Sequence, residues 1–368
     1  MKIIHCADLH LNSSMTANLT KEKAKERKAE LLRTFIRMVD YAVEEEVRAI
    51  IIAGDLFDQN RITKTTRNAV YDQIRLHPSL DFYYLQGNHD ADSFLNDMEE
   101  LPDNLKLFEK QWKTYLMDGD HGRKIAVTGI ELSAENRDSV YHSLVLDADC
   151  FNIVVMHGQE SELRGKDKTE VIALRELRDK GIDYLALGHI HSYKADRLDA
   201  RGTYCYCGCL EGRGFDECGE HGFVLLDIDE DRGTYEHTFV PFAGRQLYEV
   251  AVDISGCRTT AEIEEQVETV LAQKEISPKS MVKIVLTGEL DVDDEKDPEL
   301  LEKQLEDRFY YVKVKDESGW RIDYQAYELD ESLKGEFIRT VQNSELSEED
   351  KAEIIRYGIQ ALAGDEIQ

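Results

Sequence analysis

The sequence predicts an α/β protein with strands buried on both faces, followed by a smaller α+β unit and a helical tail. Three features lead to that class. Short, continuous apolar runs recur, as in RAIIIAG (48–54), FYYLQG (82–87) and FNIVVMHG (151–158), and such runs mark strands covered on both sides. Helical patterns separate the early runs, which is the strand–helix alternation of a layered α/β fold. After about residue 203 the pattern turns to strand-like alternation with turn signals, as in TYCYCGCLEG and HGFVLLDID.

In chain order, KIIHC (2–6) reads as the first strand, and a helical pattern runs from about Thr20 to Glu46. RAIIIAG is the second strand, residues 63–76 a second helix, and FYYLQG a third strand. KIAVTGI (124–130), FNIVVMHG, a helix around 169–180 and IDYLALGH (182–189) continue the alternation. The β-rich part from 203 to 242 is expected to complete a second sheet. A new unit over 243–331 then reads strand, helix, strand, helix, strand and a last strand over 320–327. The tail from 332 reads as two helices. The last of these, in ELSEEDKAEIIRYGIQALAG (345–364), has Ser347 with Asp350 three residues on, close to a capping box, and Gly364 as a stop. The expected division is therefore 1–242, 243–331 and 332–368.

Charge and composition narrow the function. A formal net charge of −30 over 368 residues counts against a protein that grips DNA alone, because duplex binding relies on a basic surface. The charge is uneven: residues 289–368 hold 24 acidic and 10 basic residues. KEKAKERK (21–28) is locally basic and reads as a solvated helix face. No run of about 18 apolar residues occurs, so no membrane span is expected. MKIIHCADLH enters a strand pattern at once, without the shape of a signal peptide. Seven scattered cysteines suit reduced thiols in the cytoplasm.

The chemistry collects just after the buried strands. Asp8 and His10 follow the first, Asp55 the second, and Asn88, His89 and Asp90 the third. His157 ends FNIVVMHG, and His189 and His191 follow YLALG. Each motif alone has an ordinary reading: Asp55 as a helix cap, Asn-His-Asp as a turn, a single histidine as a loop residue. Repetition at successive strand ends, where sites of open α/β sheets assemble, points instead to a metal centre. The set holds no cysteine, unlike a structural zinc site. Carboxylate, imidazole and amide oxygen together suit Mn²⁺, Fe or Zn²⁺ in a catalytic role. The candidates also exceed the needs of one octahedral ion. Two ions about 3.5–4 Å apart, sharing a carboxylate, form a clamp for in-line displacement at phosphorus.

Asp8-x-His10, Gly54-Asp55, Gly87-Asn88-His89-Asp90, His157 and Gly188-His189-x-His191, in this order, resemble the five motifs of the calcineurin-like metallophosphoesterases. The resemblance covers roughly residues 1–195, and the β-rich part to about 242 is similar to that family's second sheet. CADLHL and AGDLFD, with the small cap and helical tail, resemble one branch, the SbcD-type and Mre-type DNA repair nucleases. The resemblance implies a four-layer α/β/β/α sandwich and a phosphodiesterase acting on DNA. Two divalent ions are implied, Mn²⁺ foremost, with Fe or Zn²⁺ as alternatives. The implied partners are DNA and a coiled-coil ATPase of the SbcC type that docks on the C-terminal segment; a homodimer stays open. By position, Asp8, His10 and His191 would hold one metal, Asn88, His157 and His189 the other, and Asp55 would bridge them. His89 would act on the leaving group or the phosphate oxygens, with Asp90 orienting its ring.

Asp58 stands where some nucleases of this branch carry a histidine, and with Arg213, in a glycine-rich loop, it is a candidate for substrate contact. His5 is expected in the first strand rather than the site. Cys205, Cys207 and Cys209 are expected as buried free thiols. Two other functions compete: a phosphoesterase for a nucleotide or other small ester, and a non-catalytic regulator of an ATPase. The complete ligand set argues against the second.

Overall fold

Strand β1 (Lys2–Cys6) lies inside a six-stranded sheet. On one side run β2 (Ala49–Ala53), β3 (Asp81–Leu85) and β4 (Leu105–Leu107), all parallel to it. On the other, β13 (Gly222–Asp229) is antiparallel to β1, and β14 (Thr234–Pro241) is antiparallel to β13. The computed structural model describes residues 1–15, 19–58, 62–87, 90, 101–119, 123–161, 171–292, 294–322 and 324–363. They divide into two units, Met1–Gln246 and Leu247–Gln368.

The crossovers are helices α1 (Lys21–Glu44) and α2 (Lys64–Leu76). Each begins where a threonine side chain, Thr20 or Thr63, accepts a backbone N–H of the first turn. Leu31, Phe35, Met38 and Val39 of α1 pack with Ile4, Ile50, Ile52 and Phe82 on the outer face of the sheet. The basic stretch at its start is largely solvated as expected, with Lys21, Glu22, Lys25 and Glu26 exposed; Arg27 alone departs, fully buried, ion-paired with Glu30, and donating to the Gly212 carbonyl.

A second six-stranded sheet has the order β11 (Lys194–Arg197), β12 (Thr203–Tyr206), β10 (Tyr184–Gly188), β7 (Phe151–His157), β6 (Ile125–Gly129), β5 (Lys113–Met117). Ile3, Ile51 and Tyr83 of the first sheet meet Val127, Ile153, Val155 and Ala186 of the second in one buried cluster. On the far face, Val154, Met156, Leu185 and Leu187 are covered by Val140, Tyr141, Leu174 and Leu177, from the short helices Val140–Ser143 and Leu174–Leu177. This is the four-layer α/β/β/α sandwich. Two expectations change. Among the described residues, the helix around 169–180 is only Leu174–Leu177, behind a short strand β9 (Val171–Ala173) paired with β8 (Gln159–Ser161). The β-rich part after 203 is split: β12 joins the second sheet, whereas β13 and β14 extend the first. A strand pattern says nothing about which neighbour will complete its hydrogen bonds.

In the second unit, β15 (Leu247–Asp253), β16 (Met281–Thr287) and β18 (Tyr311–Asp316) are all parallel, joined through helices Thr260–Ala272 and Pro298–Leu305. The strand expected over 320–327 ends early. Gly319–Arg321 (β19) pairs with Glu289–Asp291 (β17), and Tyr324–Tyr327 forms a 3₁₀ turn. The tail helices, Leu333–Gln342 and Glu348–Ala363, belong to this unit. Ile338 and Ile355 are fully buried in a cluster with Val292, Tyr327 and Val341. Leu346, Ile354 and Leu362 stay exposed. The expected cap forms, with Asp350 N donating to Ser347 Oγ; Gly364 lies outside the described residues. No helix among the described residues is long and apolar enough to cross a membrane.

Candidate metal centre

The carboxyl ends of β1, β2, β7 and β10 converge, two from each sheet, and the candidate ligands sit where they meet. Asp8 (φ 52°), His10 (φ 44°), Asp55 (φ 52°) and His189 (φ 98°) all have left-handed backbones. Each such residue costs about 1–2 kcal/mol, and this strain persists where the surroundings over-determine it. Here the two loops brace each other: Asp8 N donates to the Gly54 carbonyl (3.1 Å) and His10 N to the Asp55 carbonyl (3.0 Å). Gly54 is required twice over. Its φ is +98°, and a Cβ there would lie 2.6 Å from His157 Cγ. At Gly188 a Cβ would run into the Ala53 carbonyl and come within 2.8 Å of both Ala7 Cβ and His157 Nδ1.

Asp8, His10, Asp55 and His157 are buried, His191 partly so. His10 Nε2 and His191 Nε2 face each other at 3.2 Å, each about 3.9 Å from a carboxylate: His10 from Asp55 Oδ2, His191 from Asp8 Oδ1. The same Asp55 Oδ2 lies 3.4 Å from His157 Nε2. One carboxylate oxygen thus stands between two groups of rings. The Asp8 carboxylate also accepts His189 N–H, at 2.9 and 3.1 Å, and the His189 ring packs edge-on against His157, centroids 5.4 Å apart.

Hydrogen bonds set the tautomers. His157 Nδ1–H donates to the Ala53 carbonyl at 2.9 Å, so Nε2 is the nitrogen turned toward Asp55. His191 Nδ1–H donates to Glu217 Oε1 at 2.6 Å, and His10 Nδ1 lies 3.1 Å from Asp58 Oδ1. When both rings are neutral with Nδ1 protonated, the two facing Nε2 atoms present lone pairs to one shared cation, a proton or a metal ion. The donors fit divalent metal: neutral imidazole and carboxylate, with second nitrogens anchored as in metal sites generally. Asp8, His10 and His191 offer ligand atoms within 4.8 Å of one another, as do Asp8, Asp55 and His157.

The charges are strongly coupled. Burial pushes the His157 ring down, but Asp55 and Asp8 outweigh it and raise its pKa to about 9. Burial pushes the Asp8 carboxyl up, opposed by the His157 and His191 rings. Glu217 is held well below the usual carboxylate range, because His191 and Arg213 outweigh its burial.

The remaining candidates are distributed unevenly. Asn88 and His89 lie outside the described residues. Asp90 accepts the N–H groups of Phe57 (2.7 Å), Gly87 (2.9 Å) and Leu56 (3.3 Å). It thereby fastens the loop after β3 to the loop after β2. Burial raises its carboxyl to about 7, against the pull of those amides. Arg213 is occupied within the protein rather than turned free to solvent: Nη2 donates to Glu217 Oε1 (2.8 Å) and Nη1 to Asp58 Oδ1 (3.3 Å). Cys209 is a buried thiol, its pKa raised by burial, 3.2 Å from His221 Nδ1. His5 belongs to β1 and meets Tyr184 Oη at 2.9 Å. Sequence reasoning passed over Glu217. One glutamate in a glycine-rich loop has no spacing signal, and only folding brings it to a histidine 26 residues away.

Comparison with known proteins agrees with this geometry. The model of the calcineurin-like phosphoesterase family matches residues 1–193. An uncharacterized metallophosphoesterase, YhaO, of Bacillus subtilis is 31% identical over 78% of this chain and 72% of its own. The DNA double-strand break repair protein Mre11 of Saccharolobus solfataricus is 25% identical over 100% of this chain and 96% of its own. SbcD, a component of the nuclease SbcCD of Escherichia coli, is 23% identical over 61% of this chain and 64% of its own. With its motifs at the converging ends of two sheets and its family match spanning both, the chain belongs to the calcineurin-like phosphoesterases.

Proposed function

We propose that this protein is a two-metal phosphodiesterase acting on DNA, the nuclease subunit of an SbcCD-like repair complex. The observation that carries the metal reading is the pair of facing Nε2 atoms of His10 and His191, with one Asp55 oxygen directed at both His10 and His157. Asp8, His10 and His191 would hold one ion, and His157, His189 and Asn88 the other, with Asp55 shared. When bound, such ions supply Lewis acidity and an activated water for attack at phosphorus. The chain's own part is to hold five or more ligands on strained, mutually braced loops, to turn the imidazole Nε2 atoms toward the shared carboxylate, and to place His89 for proton donation or charge stabilisation.

The DNA reading is supported by relatives named as a double-strand break repair protein and as part of a nuclease. An ATPase partner of the SbcC type would supply the DNA grip that a chain of net charge −30 lacks. Leu346, Ile354 and Leu362, exposed on the tail, are the surface proposed to meet it. That same charge favours a second reading, hydrolysis of a nucleotide or other small ester. The test is purified protein with Mn²⁺, offered bis-p-nitrophenyl phosphate, single-stranded DNA, duplex ends and nucleotides, with and without the ATPase. EDTA-sensitive DNA cleavage supports the nuclease; turnover of small esters alone, even with the ATPase present, supports the second reading.

A further inference from the structure

Two histidines of one metal position are held from behind in the same way. Asp58 Oδ1 lies 3.1 Å from His10 Nδ1, and Glu217 Oε1 lies 2.6 Å from His191 Nδ1. One guanidinium joins the two carboxylates: Arg213 Nη1 reaches Asp58 Oδ1 at 3.3 Å and Nη2 reaches Glu217 Oε1 at 2.8 Å. The Asp58, Glu217 and Arg213 side chains are 16, 7 and 21% exposed. The loop that carries Arg213 and Glu217 is itself anchored. Arg27 Nη2 donates to the Gly212 carbonyl (2.6 Å), and Glu211 Oε1 accepts from Thr34 Oγ1 and from Gly244 N, both at 2.6 Å. His221 Nε2 is 2.7 Å from the Glu217 carbonyl, and Arg213 N donates to Glu217 Oε2 at 2.7 Å.

We infer that Arg213, Asp58 and Glu217 form a clamp of positioning residues that sets the tautomer and spacing of His10 and His191 at one metal position and leaves the other position alone. The inference rests on the two-metal reading above. Its logic is that of carboxylates behind metal-bound imidazoles, where losing the partner weakens metal affinity about 10- to 100-fold. Arg213 adds a link between the two carboxylates, so that neither ring can swing without the other. This replaces the role of substrate contact expected for Asp58 and Arg213: both are spent on the ligands.

The charge on Arg213 makes the test decisive. A cation beside a metal position repels the metal, so electrostatics alone predicts that Arg213→Met binds Mn²⁺ more tightly; loss of the clamp predicts weaker binding. Equilibrium dialysis against graded free Mn²⁺, with bound metal counted by mass spectrometry and the two-ion state followed by electron paramagnetic resonance, reads the difference. Wild type should fill two positions. In Arg213→Met and in Glu217→Gln, half-filling of one position should need about 10- to 100-fold more Mn²⁺, with the other unchanged. It should be the position lost in His191→Ala and kept in His157→Ala. Arg213→Lys should recover part of the affinity. In an Asp58→Asn, Glu217→Gln background, Arg213→Met should lose most of its effect, and what remains reads the direct approach of Arg213 Nη2 to His191 Nδ1 at 3.2 Å. Unchanged or tighter binding by Arg213→Met overturns the clamp. So does an equal loss at both positions accompanied by a lower unfolding midpoint of the metal-free protein, since that marks a collapsed loop. If wild type takes up no Mn²⁺, the metal reading falls first and the clamp with it; two ions bound at the same free Mn²⁺ in wild type, Arg213→Met and Glu217→Gln overturn the clamp alone.

Discussion

Replacing Gly54 by alanine should damage both the fold and the metal centre. Gly54 has φ +98°, and an added Cβ would lie 2.6 Å from His157 Cγ and 2.9 Å from Cε1. A normal carbon–carbon contact is about 3.5–4.0 Å, so the ring must retreat by roughly 1 Å. That breaks the 2.9 Å bond from His157 Nδ1 to the Ala53 carbonyl, a loss of about 1 kcal/mol or more at a buried site. Left-handed strain adds about 1–2 kcal/mol. Together these come to roughly 3 kcal/mol, or about 6–12 °C in the unfolding midpoint of a domain of this size. The displaced Nε2 should also weaken Mn²⁺ uptake at the His157 position. Gly219→Ala is the control: its φ is +114°, yet nothing lies within 4 Å of an added Cβ, so it carries strain without collision. Thermal unfolding of the metal-free proteins and a Mn²⁺ count separate the terms. If Gly54→Ala matched Gly219→Ala in midpoint and kept wild-type Mn²⁺ binding, the collision argument would be wrong.

Three further outcomes are expected. His5, buried against Tyr184, has its pKa lowered to about 3 by burial, while an unfolded histidine titrates near 6.5; the unfolded chain therefore binds the extra proton between those values. Stability should fall as pH drops from about 6.5 toward 3, by up to about 1.4 kcal/mol per unit relative to His5→Leu, and urea-unfolding curves of the two proteins that stayed parallel with pH would refute this. Asp55→Ala should lose metal and activity together, whereas His89→Ala should keep both ions and lose about 10²–10⁴-fold in turnover; equal metal loss in the two variants would remove the distinction. Deleting 334–368 should destabilise the second unit, since it strips Ile338 and Ile355 from Val292 and Tyr327, while Leu346→Asp with Ile354→Asp should keep the fold and abolish pull-down of the ATPase; retention of the ATPase by that double variant would place its docking elsewhere.

The sequence by itself determined most of the parts list, the helix around 169–180 and the strand over 320–327 being the exceptions. Buried strands show as unbroken apolar runs, because a strand covered on both sides has no polar face to reveal. The candidate ligands show because they recur directly after such runs, and the strand ends need no tertiary knowledge to locate. The threonine caps of α1 and α2 and the Ser347 cap of the last helix are local chemistry, readable within four residues. What tertiary structure decided is everything that depends on partners distant in sequence. The five strands that lead to the candidate ligands are shared between two sheets, and β13 and β14 return to the first rather than completing the second; hydrogen-bond partners of a strand leave no mark on its own pattern. Arg27 looked like one more charge on a solvated helix face, and became buried because Gly212 and Glu211, some 185 residues on, supply its acceptors. The tail helices were as compatible with a free docking segment as with a packed one, until Trp320, Tyr327 and Val292 gave Ile355 an apolar surface to cover. Arg213 and Asp58, isolated charges in the sequence, acquired their meaning only when folding placed Glu217 behind His191 and joined the three into one hydrogen-bonded unit.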